Sequence, residues 1–124
     1  MRNGIENAHP RVHTLEIDGI TYPIGYKVVT SDSESLGLRQ NPNILTYPVG
    51  EWFELPEEDI EEGGDDWGGI WVARIPSKAK EIVKYMKEQY GVECVVYLAV
   101  LGDILFCNNG RIKTNKVFLL PSKF

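Results

Sequence analysis

Residues 68–77, Gly68-Gly69-Ile70-Trp71-Val72-Ala73-Arg74-Ile75-Pro76-Ser77, and the run from Lys78 to Tyr90 behind them decide how this chain is read. Ile70, Trp71, Val72, Ala73 and Ile75 form a nearly continuous apolar strand, which fits burial on both faces better than the alternation of a half-wet sheet. A central strand is therefore expected. Behind it, Ser77 is expected to act as a helix N-cap, and Ala79, Ile82, Val83, Met86 and Tyr90 fall on one stripe of a helix that Gly91 stops. The other face carries Lys78, Lys80, Lys84 and Lys87 with Glu81 and Glu88, so burial of the stripe must hold the helix in place.

Upstream, residues 12–17 and 20–24 flank Asp18-Gly19, a two-residue hairpin signal because both positions tolerate positive φ. Gly25 is read as separating this hairpin from a short strand, Tyr26-Lys27-Val28-Val29. Ser31 and Glu34 have capping-box spacing, which predicts one or two helical turns through Leu36 and Leu38. Arg39-Gln40-Asn41-Pro42-Asn43 reads as a turn. Residues 44–47 and 51–55 are brief β segments interrupted by Pro48-Val49-Gly50, which suits a sheet edge.

Downstream, residues 92–101 form the longest β run. Gly102-Asp103 is expected to fold it into a hairpin with residues 104–107, so that Leu101 opposes Ile104 and Cys107 opposes Leu98. In that register Cys94 and Cys107 stand about 13 Å apart, beyond disulfide reach, and both are expected as free thiols. Asn109-Gly110 signals another turn, and a closing strand over residues 116–120 is expected to stop at Pro121. With several strands and one substantial helix, the fold class is α+β: a mostly antiparallel, twisted sheet, whole or split, with the helix packed on it.

The chain has 124 residues, 43% of them hydrophobic and 25% charged, which bounds it to one ordinary globular domain. Residues 1–11 are read as a flexible lead-in and residues 12–124 as a single α+β domain with an acidic loop at residues 56–69. No apolar run reaches the roughly 20 residues of a membrane span, so a cytoplasmic protein without membrane contact is expected. The net charge of −5 hides a strong asymmetry. Nine acids and no base lie between Glu51 and Asp66, which leaves the rest of the chain at +4.

These acids lack the alternate-ligand spacing and closing glutamate of a calcium loop, and the two cysteines lack metal-ligand spacing. His9 and His13 are the only histidines, no serine or cysteine sits in a nucleophile elbow, and neither glycine pair has phosphate-loop context. Glu51 and Glu54 beside Trp52 and Phe53 are the nearest approach to a carboxylate pair, and exposed alternate positions of a strand explain them better. No catalytic residue, cofactor or metal is expected, and the balance leans away from an enzyme. Four lysines on one helix face are its wet side, which makes nucleic acid an unlikely partner.

Taken in order, Gly25-Tyr26-Lys27-Val28-Val29, Tyr47-Pro48-Val49-Gly50-Glu51-Trp52, Gly68-Gly69-Ile70-Trp71-Val72-Ala73, a helix and Gly102-Asp103 resemble a family of small uncharacterised archaeal, bacterial and phage proteins over residues 25–120. The layout also looks loosely similar to ADP-ribosyltransferase-type domains, whose split sheet binds NAD. That resemblance implies no transferred catalytic set, because Tyr26 and Lys27 stand where those enzymes place an arginine or histidine, and Glu93 lies outside their glutamate motif.

The expected function is a small interaction or regulatory module, virus- or mobile-element-associated, that binds a protein partner, basic in character, through an acidic-aromatic surface. The contact residues would be Trp52, Phe53, Glu57, Glu58, Asp65, Asp66 and Trp67. The alternative is an NAD- or nucleotide-handling enzyme of transferase-like fold.

Overall fold

A computed structural model describes residues 12–36, 44–63 and 68–123 of the protein. They form an antiparallel sheet of eight strands with one α-helix, an α+β architecture whose sheet does not close on itself. The strands are β1 (Thr14–Ile17), β2 (Ile20–Thr30), β3 (Trp52–Glu54), β4 (Ile70–Ala73), β5 (Cys94–Leu101), β6 (Ile104–Cys107), β7 (Arg111–Thr114) and β8 (Lys116–Lys123). The helix α1 spans Pro76–Tyr90. The strand order is β3-β8-β5-β2-β4-β7-β6, with β1 paired to the outer half of β2. The strand that decides the reading, β4, is indeed interior, between β2 and β7.

The two faces of the sheet bury different clusters. On one, Tyr26, Val28, Ala73 and Val96 pack under Ala79 of α1, with Ile82 and Val83 against them. On the other, Val29, Val72, Ile112, Ala99, Leu101 and Leu119 pack with Tyr47 from the segment before β3. Both faces of β2 and β4 are thus covered, which is why these strands lack polar alternation. Ala79 and Met86 of the helix stripe are buried, but Tyr90 is 61% exposed and rests its ring edge on Tyr85, so the buried stripe ends a turn earlier than the apolar spacing suggests.

The Asp18-Gly19 hairpin forms with Ile17 opposite Ile20 and both turn residues at positive φ, 52° and 80°. Gly25 does not break the chain there; β2 runs through it without interruption. Its role is close approach, since a Cβ at Gly25 would stand 2.4 Å from Val72 Cγ2 on β4. Ser77 does not cap α1. Pro76 occupies the first helical turn with Ile75 as an extended N-cap residue, and Pro76 already supplies the helical φ one position earlier. Gly91 ends the helix in left-handed geometry at φ 67°, its N–H donating to Lys87 O while Val92 N–H reaches Met86 O.

Two further expectations are corrected. Ser31 and Glu34 start no helix, because the Thr30 hydroxyl accepts from the N–H groups of Asp32 and Glu34 and turns the chain back. Residues 33–35 then bond to residues 45–47, with Tyr47 N–H donating to Ser33 O at 2.8 Å and Ser35 N–H to Leu45 O at 2.8 Å. Leu38, the turn at residues 39–43 and the lead-in at residues 1–11 lie outside the described residues.

The second correction is the larger. Gly102-Asp103 is not a hairpin, since β5 pairs with β2 and β8 while β6 pairs with β7. Gly102 N–H donates to Lys116 O, Asp103 N–H to Asn115 Oδ1, and the Thr114 hydroxyl to Asp103 O. The two corners β5–β6 and β7–β8 therefore brace one another, and glycine is needed because a Cβ at Gly102 would sit 2.4 Å from Asn115 Oδ1. Cys107 faces Ile112 and Cys94 faces Thr30, so the expected register is wrong although both thiols are free. β8 also passes through Pro121 instead of stopping there, tolerated where the β5–β8 register shifts between Tyr97 and Ala99.

Candidate functional site

β3 is a three-residue edge strand, and its alternation divides the two aromatic residues that the sequence offers together. Phe53 turns inward, half-buried, with its ring edge on buried Tyr47 at 5.1 Å. Trp52 turns outward and is 41% exposed. Its indole is held from three sides: Phe118 lies edge-on at 5.7 Å, Tyr22 at 6.5 Å, and Lys116 Nζ stands 4.6 Å above the ring. Phe118 is also its cross-strand partner, so the indole is fixed by sheet register as well as by packing.

The acids sit at both ends of β3 and in the turn that follows it. Glu51 precedes β3 and Glu54 is its last residue; both are exposed, and Glu54 stands opposite Lys116 across the ladder. Glu57 and Glu58 belong to a short 3₁₀ turn, Glu57–Asp59, that buries nothing. The loop they begin is anchored: Glu61 N–H donates to Gly68 O at 2.8 Å and Gly63 N–H to Leu105 O at 3.0 Å on β6. Asp65, Asp66 and Trp67 lie outside the described residues. Of the expected contact set, Trp52, Glu57 and Glu58 are surface groups, while Phe53 supports the strand from inside.

Two buried lysines escape a reading by composition. Lys27 is 7% exposed within β2, on the face opposite α1; its amine donates to the Trp71 carbonyl at 2.8 Å and stands 4.7 Å above the Tyr47 ring. Burial lowers its pKa to about 8 and pushes the Tyr47 phenol upward. Lys113 is fully buried on β7, its stem running where a Cβ on Gly69 would stand 2.4 Å away. Lys113 and Arg111 flank the Trp71 ring, the guanidinium 4.1 Å and the amine 5.9 Å from its centroid, with Phe106 edge-on at 5.9 Å. A signal for Lys27 existed, because it interrupts a strand whose neighbours on both sides are apolar.

Neither thiol is an activated nucleophile. Burial raises both, and Arg74 only partly offsets this at Cys107. Glu93 is exposed and pairs with Lys87. Among the described residues no three histidine, cysteine or acidic side chains are placed to hold a metal ion, and no helix is long and apolar enough to cross a membrane.

The geometry defines a small antiparallel α+β domain with a fixed, exposed tryptophan at an acid-lined sheet edge. Comparison with protein-family models, with curated proteins and with solved structures finds no match.

Proposed function

We propose that the protein is a small interaction module that takes a basic segment of a protein partner along the β3 edge. Trp52 is the anchor, and Glu51, Glu54, Glu57 and Glu58 form the charged rim. The observation that carries this is the state of Trp52: exposed, yet immobilised by Phe118, Tyr22 and Lys116, so that little side-chain entropy is lost on contact. Exposed acids around a rigid aromatic suit lysine and arginine side chains, whose stems pack on the ring while their charges meet carboxylates. Asp65, Asp66 and Trp67, outside the described residues, belong to the contact set in this proposal. The proposal also keeps a virus- or mobile-element-associated role, which rests on the sequence resemblance, and a cytoplasmic setting, which rests on the short apolar runs of the sequence. The β2–β4 ladder, a single pair at Tyr26 and Ala73, supports reading the sheet as split at that seam.

The test is association with a lysine-rich peptide. Replacing Glu57 and Glu58 by glutamine should slow association and leave the unfolding midpoint unchanged. The difference should fade as added salt shortens the screening length from about 10 Å at 0.1 M to about 3 Å at 1 M. Association indifferent to both the substitutions and salt would remove the acids from the account.

A further inference from the structure

The two ends of the strand order differ in what their outer sides hold. At β6 the outer side is already engaged, because Gly63 N–H donates to Leu105 O at 3.0 Å. At β3 it is open. Leu55 N–H donates to Asn115 O in the register that also pairs Trp52 with Phe118, Phe53 with Val117 and Glu54 with Lys116, so Phe53 and Leu55 turn their backbone groups toward β8. Antiparallel ladders alternate these directions residue by residue, and the N–H and C=O of Trp52 and Glu54 therefore point away from the sheet. Among the described residues no backbone group bonds to them.

This open edge is short and its limits are defined. The next outward position is Pro56, which has no N–H and whose carbonyl accepts from Asp59 N–H at 2.9 Å. At the other limit Gly50 N–H turns back to Leu119 O, at a positive φ of 84°. Trp52 and Glu54 thus offer two donors and two acceptors, the complement of three residues of an added strand. The side chains alternate as well. Trp52 and Glu54 share one face of the sheet, while Phe53 and Leu55 share the other, half-buried against the cluster that contains Tyr47.

We propose that the β3 edge takes its partner by strand addition, holding an extended segment in which two basic residues flank one apolar residue, antiparallel to β3. This rests on the reading of the β3 edge as a contact surface for a basic segment, and it assigns how that segment is held. Backbone bonds at Trp52 and Glu54 supply the grip, and the alternate side chains set the sequence. A residue opposite Trp52 or Glu54 falls on the face of the exposed indole and the carboxylate, which suits lysine or arginine. The residue between them falls on the face of Phe53 and Leu55, which suits an apolar side chain. Charge argues against a second copy of this chain as the occupant. Residues 51–59 hold Glu51, Glu54, Glu57, Glu58 and Asp59 with no base, so pairing two β3 edges would bring like charges together.

The test is an NMR titration of the full chain with a synthetic peptide, Gly-Ser-Lys-Val-Lys-Ser-Gly, and with copies of it N-methylated at single backbone amides. In the antiparallel register both lysine N–H groups donate to β3, and the valine N–H points to solvent. Methylation at either lysine should weaken binding by about tenfold, and methylation at the valine by less than about twofold. On the protein, Glu54→Pro removes an outward donor at an edge position that tolerates proline. It should stay folded and bind about tenfold more weakly than Glu54→Gln, which removes only the charge. Strand addition is overturned if lysine and valine methylation act alike, if valine methylation is the more damaging, or if folded Glu54→Pro binds as Glu54→Gln does. Each of those results would leave an acidic-aromatic contact surface in place. No saturable shift at β3 with the unmethylated peptide at roughly 10 mM would remove that surface and strand addition together.

Discussion

The Lys27 amine donates to the Trp71 carbonyl at 2.8 Å across the seam where β2 and β4 share a single ladder pair. A side chain there takes up a carbonyl on β4 just beyond that pair. The charge is held with a carbonyl and the Tyr47 ring as its contacts, and burial brings its pKa from 10.5 to about 8.

Stability should therefore depend on pH in a defined direction. Between about pH 8 and 10.5 the unfolded chain keeps the Lys27 proton that the folded chain has lost, so this residue's contribution rises with pH and is lost as pH falls through 8. Tyr47 acts oppositely above pH 10, where the unfolded chain ionises first. Urea unfolding of wild type and Lys27→Met isolates the lysine. The stability difference between them should shift in favour of wild type by about 3 kcal/mol from pH 7 to 10.5. Parallel profiles would mean that Lys27 is solvated.

The helix provides a second check. Met86 is buried and Tyr90 is not, although both fall on the apolar stripe. Met86→Ala should cost about 2–5 kcal/mol and Tyr90→Ala about 0.5 kcal/mol or less in denaturant unfolding. Equal midpoints would misplace α1.

Gly25 should resist any side chain. Gly25→Ala brings a methyl group to 2.4 Å from Val72 Cγ2 between two paired strands, and should cost about 1–3 kcal/mol. Gly110→Ala, whose nearest neighbour would be Asn108 Oδ1 at 3.9 Å, should be close to neutral. Thermal unfolding of the two variants checks the close approach of β2 to β4.

What could be read in advance follows a physical division. The Asp18-Gly19 hairpin, the central position of β4 and most of the α1 stripe depend on local backbone preference and periodicity, which are written in neighbouring residues. Gly102-Asp103 and Ser31-Glu34 also carry good local signals, but other hydrogen-bonding groups, the neighbouring Thr30 hydroxyl among them, outcompete them. Asn115 and Lys116 brace the first, and residues 45–47 take the hydrogen bonds of the second. Trp52 and the acids were visible as a cluster. The separation of Trp52 from Phe53, and the burial of Lys27 and Lys113, depend on which elements cover each face of the sheet.

The central claim is that the β3 edge is a contact surface anchored by Trp52, and the most direct measurement is an NMR titration of the protein with a lysine-rich peptide, repeated with Trp52→Ala. The account predicts shifts at the Trp52 indole and at the amides of Glu51, Glu54, Glu57 and Glu58. It also predicts roughly 30-fold weaker binding by the variant at an unchanged fold. Shifts confined to other faces, or equal affinity for both proteins, would contradict it.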